Sequence, residues 1–243
     1  MKFLSAEWRN LVMLNFAVKP SLLEPLVPDG TTLDQWNGLT FVSIVGFLFA
    51  NTRVLGVPIP WHRTFEEVNL RFYVRRTLVD EVRRGVTFIR ELVPRFAIAT
   101  TARAIYNEPY RGLPMRHRFG AIRPDGVPEH IEYAWRSRGE WASVSVVTSG
   151  TAKTAAPASQ EEFITEHYWG YTRQRNGSTV EYKVEHPSWR VWDVEAPNIS
   201  GDLEAVYGPE FAAVLSGSPY SAFTADGSAV TVYSPRRITR SRN

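Results

Sequence analysis

Cysteine is absent from the 243 residues. Its absence removes disulfides, thiolate zinc sites and cysteine nucleophiles together, and it fits a reducing, cytoplasmic setting. Long apolar runs are scarce as well: the longest, Leu39 to Ala50, falls well short of the ~20 residues that a membrane helix needs. Near the start, Glu7 and Arg9 interrupt any apolar stretch after Met1-Lys2-Phe3-Leu4, so neither a signal peptide nor a membrane partner is expected. No GxGxxG or GxxxxGK(S/T) phosphate loop occurs, and no GxSxG nucleophile elbow. The five histidines, His62, His117, His130, His167 and His186, show no HxxxH pairing. No metal site and no cofactor is therefore read from the sequence.

What is present suffices for a large core. Hydrophobic residues make up 44% and charged residues 22%, an ordinary globular balance. The sequence pI of about 9.2 points at nucleic acid only until the charges are placed. The formal net charge is +3, and Arg236, Arg237, Arg240 and Arg242 lie together at the end; without them the body carries −1. A nucleic-acid partner needs a basic face on the folded body, because neutralised phosphates supply most of the affinity. The expectation is one domain over 1–235, a basic and disordered tail over 236–243, and no nucleic-acid partner.

Three turn pairs sit between strand-like runs. Asn37-Gly38 joins Thr31–Trp36 to Leu39–Ala50, Asn176-Gly177 joins Tyr171–Arg175 to Thr179–Glu185, and Asp226-Gly227 joins Ser221–Ala225 to Ser228–Tyr233. Such pairs suit the type I′ turn of a hairpin, so three hairpins and a mainly antiparallel sheet are expected. Further strands are read at Val68–Val74, Val86–Ile89, Ile131–Arg136 and Trp141–Thr148. Leu39–Ala50 is apolar on both faces, as in a strand buried on both sides. Short helices are expected at Ser21–Val27, Pro94–Asn107, Asp202–Tyr207 and Glu210–Leu215. A fifth runs from a Ser159/Glu162 capping box to about Trp169.

The segment richest in chemistry is Phe65 to Val74. Period-two geometry puts Val68, Leu70, Phe72 and Val74 on one face, and Glu67, Asn69, Arg71 and Tyr73 on the other. Those four polar groups suit a carboxylate- or carbonyl-bearing ligand. The pattern alone equally describes, and on balance favours, a strand with a wet outer face.

The same segment carries a resemblance. Phe65-x-Glu67-Val68-Asn69-Leu70-Arg71-x-Tyr73-Val74 followed by Gly85-Val86-x-Phe88 resembles the signature of the uncharacterised YqjF-type family, a branch of the acetoacetate-decarboxylase-like superfamily. Leu26-Val27-Pro28-Asp29-Gly30, Ala102-Arg103 then Pro109-Tyr110, Phe163-Ile164-Thr165-Glu166-x-Tyr168 and His186-Pro187-x-Trp189 agree in order. The resemblance implies an α+β, β-dominated fold: a closed, cone-like, mainly antiparallel barrel with a few packed helices. One face of the polar strand would then look into the lumen. Glu67 becomes a candidate acid or base, and Asn69, Arg71, Tyr73, Arg103, Tyr110 and His186 become candidate ligand contacts. His186 and Arg103 read more readily as structural residues, Tyr110 equally as a packed turn, and His167 as a structural contact.

The decarboxylases of that superfamily use a Schiff-base lysine. Here the only lysines are Lys2, Lys19, Lys153 and Lys183, none in the corresponding segment, and arginine is no substitute amine. The expected partner is a small organic acid or carbonyl compound bound or transformed without a Schiff base. The alternative is a non-catalytic binder or sensor, and either is compatible with a homo-oligomer.

Overall fold

The computed structural model describes residues 1–58, 63–94 and 108–238. The expected helix over Pro94–Asn107, and Arg103 with it, therefore falls outside the described residues. The strands are β1 (Lys2–Val18), β2 (Thr32–Leu33), β3 (Thr40–Val54), β4 (Val57–Pro58), β5 (Phe65–Thr77), β6 (Val82–Val93), β7 (Tyr110–Gly112) and β8 (Met115–Phe119). They continue with β9 (His130–Ser137), β10 (Glu140–Thr148), β11 (Lys153–Thr154), β12 (Trp169–Arg173), β13 (Thr179–Glu185), β14 (Arg190–Ser200), β15 (Ser221–Tyr233) and β16 (Arg236–Arg237). Among the described residues no helix is long and apolar enough to cross a membrane.

Seven of these strands form a ring, in the order β13-β12-β6-β5-β3-β1-β15, and a short β13–β15 ladder closes it. Pairing is antiparallel except where β6 meets β12 and β7. A second layer, β14-β10-β9-β8, continues from β15 and folds back over the outside of the ring. Two cores follow from this. Between the layers, Val68, Leu70, Phe72 and Val74 of β5 pack with Val42 and Ile44 of β3, with Tyr133 and Trp135 of β9, and with the helix Glu204–Leu215. Inside the ring, Met13, Val45, Phe47, Phe49, Phe65 and Tyr73 form the other. β3 and β5 are thus buried on both faces. The wet outer face that the β5 pattern favoured does not exist: the polar face turns into the ring, and the second layer covers the apolar one.

Local sequence accounts for most of the elements. Asn37 (φ 48°) and Gly38 (φ 77°) both take positive φ, as the type I′ turn requires, and Trp36 pairs with Leu39 across it. Asn176-Gly177 also makes its hairpin, through a different turn: only Gly177 is at positive φ, and its N–H donates to the Gln174 carbonyl at 2.9 Å. Ser159 caps its helix as expected, with Oγ accepting from Glu162 N at 3.2 Å and Glu162 Oε2 accepting from Ala158 N at 2.6 Å. That helix stops at Thr165, short of Trp169, which enters β12.

Four expectations need correction. Thr31–Trp36 contributes only the two-residue β2, which pairs with β5. The helix expected over Asp202–Tyr207 begins only at Glu204, while Gly208 (φ 79°), outside the helical range, separates it from the stretch that ends at Leu215, so two helical stretches stand as expected. Arg236 and Arg237 are part of the sheet: β16 pairs with β13, and Arg236 Nε donates to Glu181 Oε1 at 2.7 Å. Glu181, 2% exposed, also takes Arg76 and Arg83, which compensates these two arginines facing each other across β5 and β6.

The fourth correction concerns Asp226-Gly227, which is no hairpin. Both residues lie within β15, which runs beside β1 without a break. Gly227 has φ 75°, and a Cβ built there would sit 2.0 Å from the Trp8 carbonyl oxygen. The glycine serves a close approach of two backbones. Gly227→Ala should therefore cost on the order of 3 kcal/mol, read as a lowered urea midpoint with an unchanged slope; an unmoved midpoint would contradict the close approach.

Candidate functional site

The ring encloses a cavity of about 420 Å³, within the range of small-molecule sites. Alternation along β5 delivers Glu67, Asn69 and Arg71 to its wall, opposite Val45 and Phe47 of β3. Glu67 and Asn69 are buried, at 3% and 2% exposed. Tyr73, the fourth residue of that face, is not part of the wall. Its hydroxyl is 2.7 Å from Ser43 Oγ, and its ring packs on Phe163 and His167.

β6 contributes through an irregularity. Leu70 pairs with Arg90 and Arg71 with Phe88, which leaves Ile89 without an opposite residue. Regular alternation would put Phe88 and Glu91 on opposite faces. The bulge re-aims the strand so that Val86, Phe88 and Glu91 all line the cavity. Glu91 then stands directly across from Asn69 on one side and from Tyr110 of β7 on the other. Glu108, two residues before Tyr110, adds a third buried carboxyl. Tyr182 of β13 donates to Glu108 Oε1, and Thr172 Oγ1 donates to the same oxygen at 3.4 Å. Gly170 lets Tyr182 reach it: a Cβ at 170 would lie 2.1 Å from the Tyr182 ring.

Charge is what sets this wall apart. Burial pushes the Glu67 carboxyl up to about 8; the Asn69 hydrogen bond (Nδ2 to Oε1, 3.0 Å) opposes, Glu108 adds to the rise, and Arg71 opposes it. Burial likewise raises Glu108 to about 7 against the Tyr182 and Thr172 hydrogen bonds. Glu91 is raised well above the carboxylate range by burial and by the charges of Glu108 and Glu67, with the Tyr110 hydroxyl opposing. Arg71 is half-buried. Its Nη2 donates to the Ile164 carbonyl at 3.1 Å, while its Nε is buried without a partner.

Two histidines also reach the wall. His186, half-buried, stacks on Trp189 with ring centroids 4.2 Å apart, and burial lowers its pKa. His167 makes the structural contact its position suggested: Nε2–H donates to Asp34 Oδ2 at 3.1 Å, and Arg84 Nε donates to the same oxygen at 2.7 Å. Burial raises the Asp34 carboxyl, yet the hydrogen bonds from His167 and Arg84 outweigh it and hold it at about 2. Burial keeps His167 below the usual imidazole range. Among the described residues, no group of three or more His, Asp or Glu side chains is arranged to hold a metal ion.

The structure thus gathers Glu67, Asn69, Arg71, Tyr110 and His186 around one cavity, sets Tyr73 behind it, and adds Glu91, Glu108, Tyr182 and His167.

Such a ring is the fold of the acetoacetate-decarboxylase-like proteins. The structure matches acetoacetate decarboxylase from Legionella pneumophila with a TM-score of 0.68 at 10% identity, covering 98% of this chain and 87% of that one. It matches the enduracididine biosynthesis enzyme MppR, solved in complex with pyruvate, with a TM-score of 0.66 at 12% identity, over 97% and 89% of the two chains. Within that fold the chain belongs to the DUF2071 family, described as an uncharacterized conserved protein, whose model matches residues 5–235. It is 28% identical to the uncharacterized protein YqjF of Bacillus subtilis (strain 168) over 193 residues, which is 78% of this chain and 75% of that protein.

The raised carboxyls have a thermodynamic signature. The unfolded chain returns Glu67 to about 4.5, so between that value and about 8 the folded state binds more protons. The contribution of Glu67 to stability is complete below pH 4.5 and is lost as pH rises through 8. In urea titrations the wild-type chain should lose stability from pH 5 to 9. Glu67→Gln should flatten this slope and be the more stable protein at pH 9; an unchanged slope would contradict the burial of Glu67 as an acid.

Proposed function

We propose that the chain binds a small organic carboxylate or carbonyl compound in the cavity of the ring, with Arg71 as the anion partner and Glu67 as the proton donor. The observation that carries this reading is the enclosure of the Glu67–Asn69–Arg71 face within a largely apolar wall. In such surroundings a guanidinium with an unpaired N–H is a strong partner for a carboxylate, because water does not compete for it. Glu67, held neutral at physiological pH by burial, offers an O–H to a carbonyl oxygen. Glu108 titrates lower and supplies a carboxylate nearby. Two carboxyls whose surroundings separate their pKa values form the usual basis of an acid–base pair.

The carbonyl would be activated by hydrogen bonding alone. None of the four lysines lines the cavity, so no amine is placed to form a Schiff base. MppR, which shares the fold, was solved with pyruvate, and this makes pyruvate the natural first probe. A non-catalytic binder would use the same grip, and proton transfer to the bound compound separates the two.

In calorimetry the wild-type chain should bind pyruvate, and Arg71→Met should weaken it by about tenfold or more with an unchanged urea midpoint. Exchange of the pyruvate methyl protons with deuterated solvent, followed by NMR, should proceed with wild type and stop in Glu67→Gln. Borohydride added to the complex should leave the mass of the chain unchanged. Pyruvate affinity indifferent to Arg71 would sink the reading; binding without exchange would leave a binder.

A further inference from the structure

The wall holds more hydrogen-bond acceptors than the proposed carboxylate can use. Asn69 Oδ1 and Glu91 Oε2 are both buried and both without a partner. They belong to residues directly paired across β5 and β6, which puts their Cβ atoms about 5 Å apart. Both residues line the cavity. A buried acceptor left unpaired costs on the order of 1–3 kcal/mol, and here two belong to directly paired residues.

The charge balance points the same way. Among the described lining residues, Glu67, Glu91 and Glu108 face a single guanidinium, Arg71. The two lining histidines are held toward their neutral form by burial, and the phenols Tyr110 and Tyr182 engage Glu91 and Glu108. A carboxylate ligand would consume the one cation and leave the acids uncompensated. A cationic nitrogen would satisfy the orphaned oxygens, lower the repulsion among the three acids, and lie against the aromatic faces of Trp8, Phe47 and Phe88 in the same wall.

We propose that the ligand held by Arg71 also carries a protonated amine, which docks between Asn69 Oδ1 and Glu91 Oε2, so that the ligand class is a small amino acid with its amine and carboxylate a few carbons apart. This rests on the Arg71 reading above. The spacing comes from the strand: Asn69 and Arg71 are same-face neighbours, about 7 Å apart along β5, and a short aliphatic chain spans the two grips. Docking the amine draws Glu91 to its charged form, so the proton it holds in the empty cavity leaves as the ligand enters.

The test is calorimetry on the full chain with 4-aminobutyrate, butyrate and butylamine, each in two buffers of different ionisation heat. 4-Aminobutyrate should bind about tenfold tighter than butyrate, the gain of one charge-assisted hydrogen bond, and should release protons where butyrate does not. Glu91→Gln should erase the preference for 4-aminobutyrate over butyrate. Should that variant fail to fold, proton release on the wild-type chain decides. Butyrate binding as tightly as 4-aminobutyrate, or an amine bound without proton release, overturns the inference and leaves the Arg71 reading standing. Butyrate binding that survives Arg71→Met overturns the Arg71 reading instead, and failure of all three probes to bind overturns both.

Discussion

Two residue pairs, Val184 with Val232 and Glu185 with Thr231, join β13 to β15, and through them seven strands acquire an inside. An open sheet of the same strands would leave one face of β5 to solvent, and its glutamate, asparagine and arginine would be ordinary surface residues. Closure turns that face inward, and the second layer of strands covers the other. Every electrostatic property of the site descends from this topological fact, since a carboxyl becomes a neutral acid at physiological pH only where water is kept away.

The cost of dehydrating three acids is met locally. Asn69 donates to Glu67, Tyr110 hydrogen bonds Glu91, and Tyr182 with Thr172 donates to Glu108. Asn69 shares a strand with Glu67, whereas Tyr110, Tyr182 and Thr172 reach Glu91 and Glu108 from other strands, so those two acids meet their partners only when the strands are in register. The polar cluster is consequently a property of the tertiary fold. The Asp34–His167–Arg84 group works alongside it, tying the turn before Trp36 and the chain after the helix Gln160–Thr165 to β6.

Much of this was legible in the chain. Alternation at 67, 69, 71 and 73 named the polar face, and Leu39–Ala50 announced a strand buried on both sides. Asn37-Gly38 and the Ser159/Glu162 box formed as their chemistry requires. The illegible parts share a cause: contacts between distant strands. Glu91 was hidden because the bulge at Ile89 breaks the period-two rule on which strand faces are read. Glu108 follows a segment whose spacing reads as a helix and so gives no sign of a wall residue, and its hydrogen-bond donor is Tyr182, seventy-four positions later. Asp226-Gly227 misled because a glycine at positive φ serves a turn and a tight backbone crossing equally well, and only the neighbouring strand tells which. Tyr73 shared the right face and still missed the cavity, since Phe163 and His167 fill the space in front of it.

The contact between Gly170 and Tyr182 restricts how this chain can diverge. The phenol occupies the volume where any larger side chain at 170 would begin, and the same phenol satisfies a buried acid. A methyl group at 170 would expel the ring and strip Glu108 of its donor, while a smaller residue at 182 would open a hole above the glycine. The three positions are interlocked, and relatives that depart from this arrangement should change them as a set.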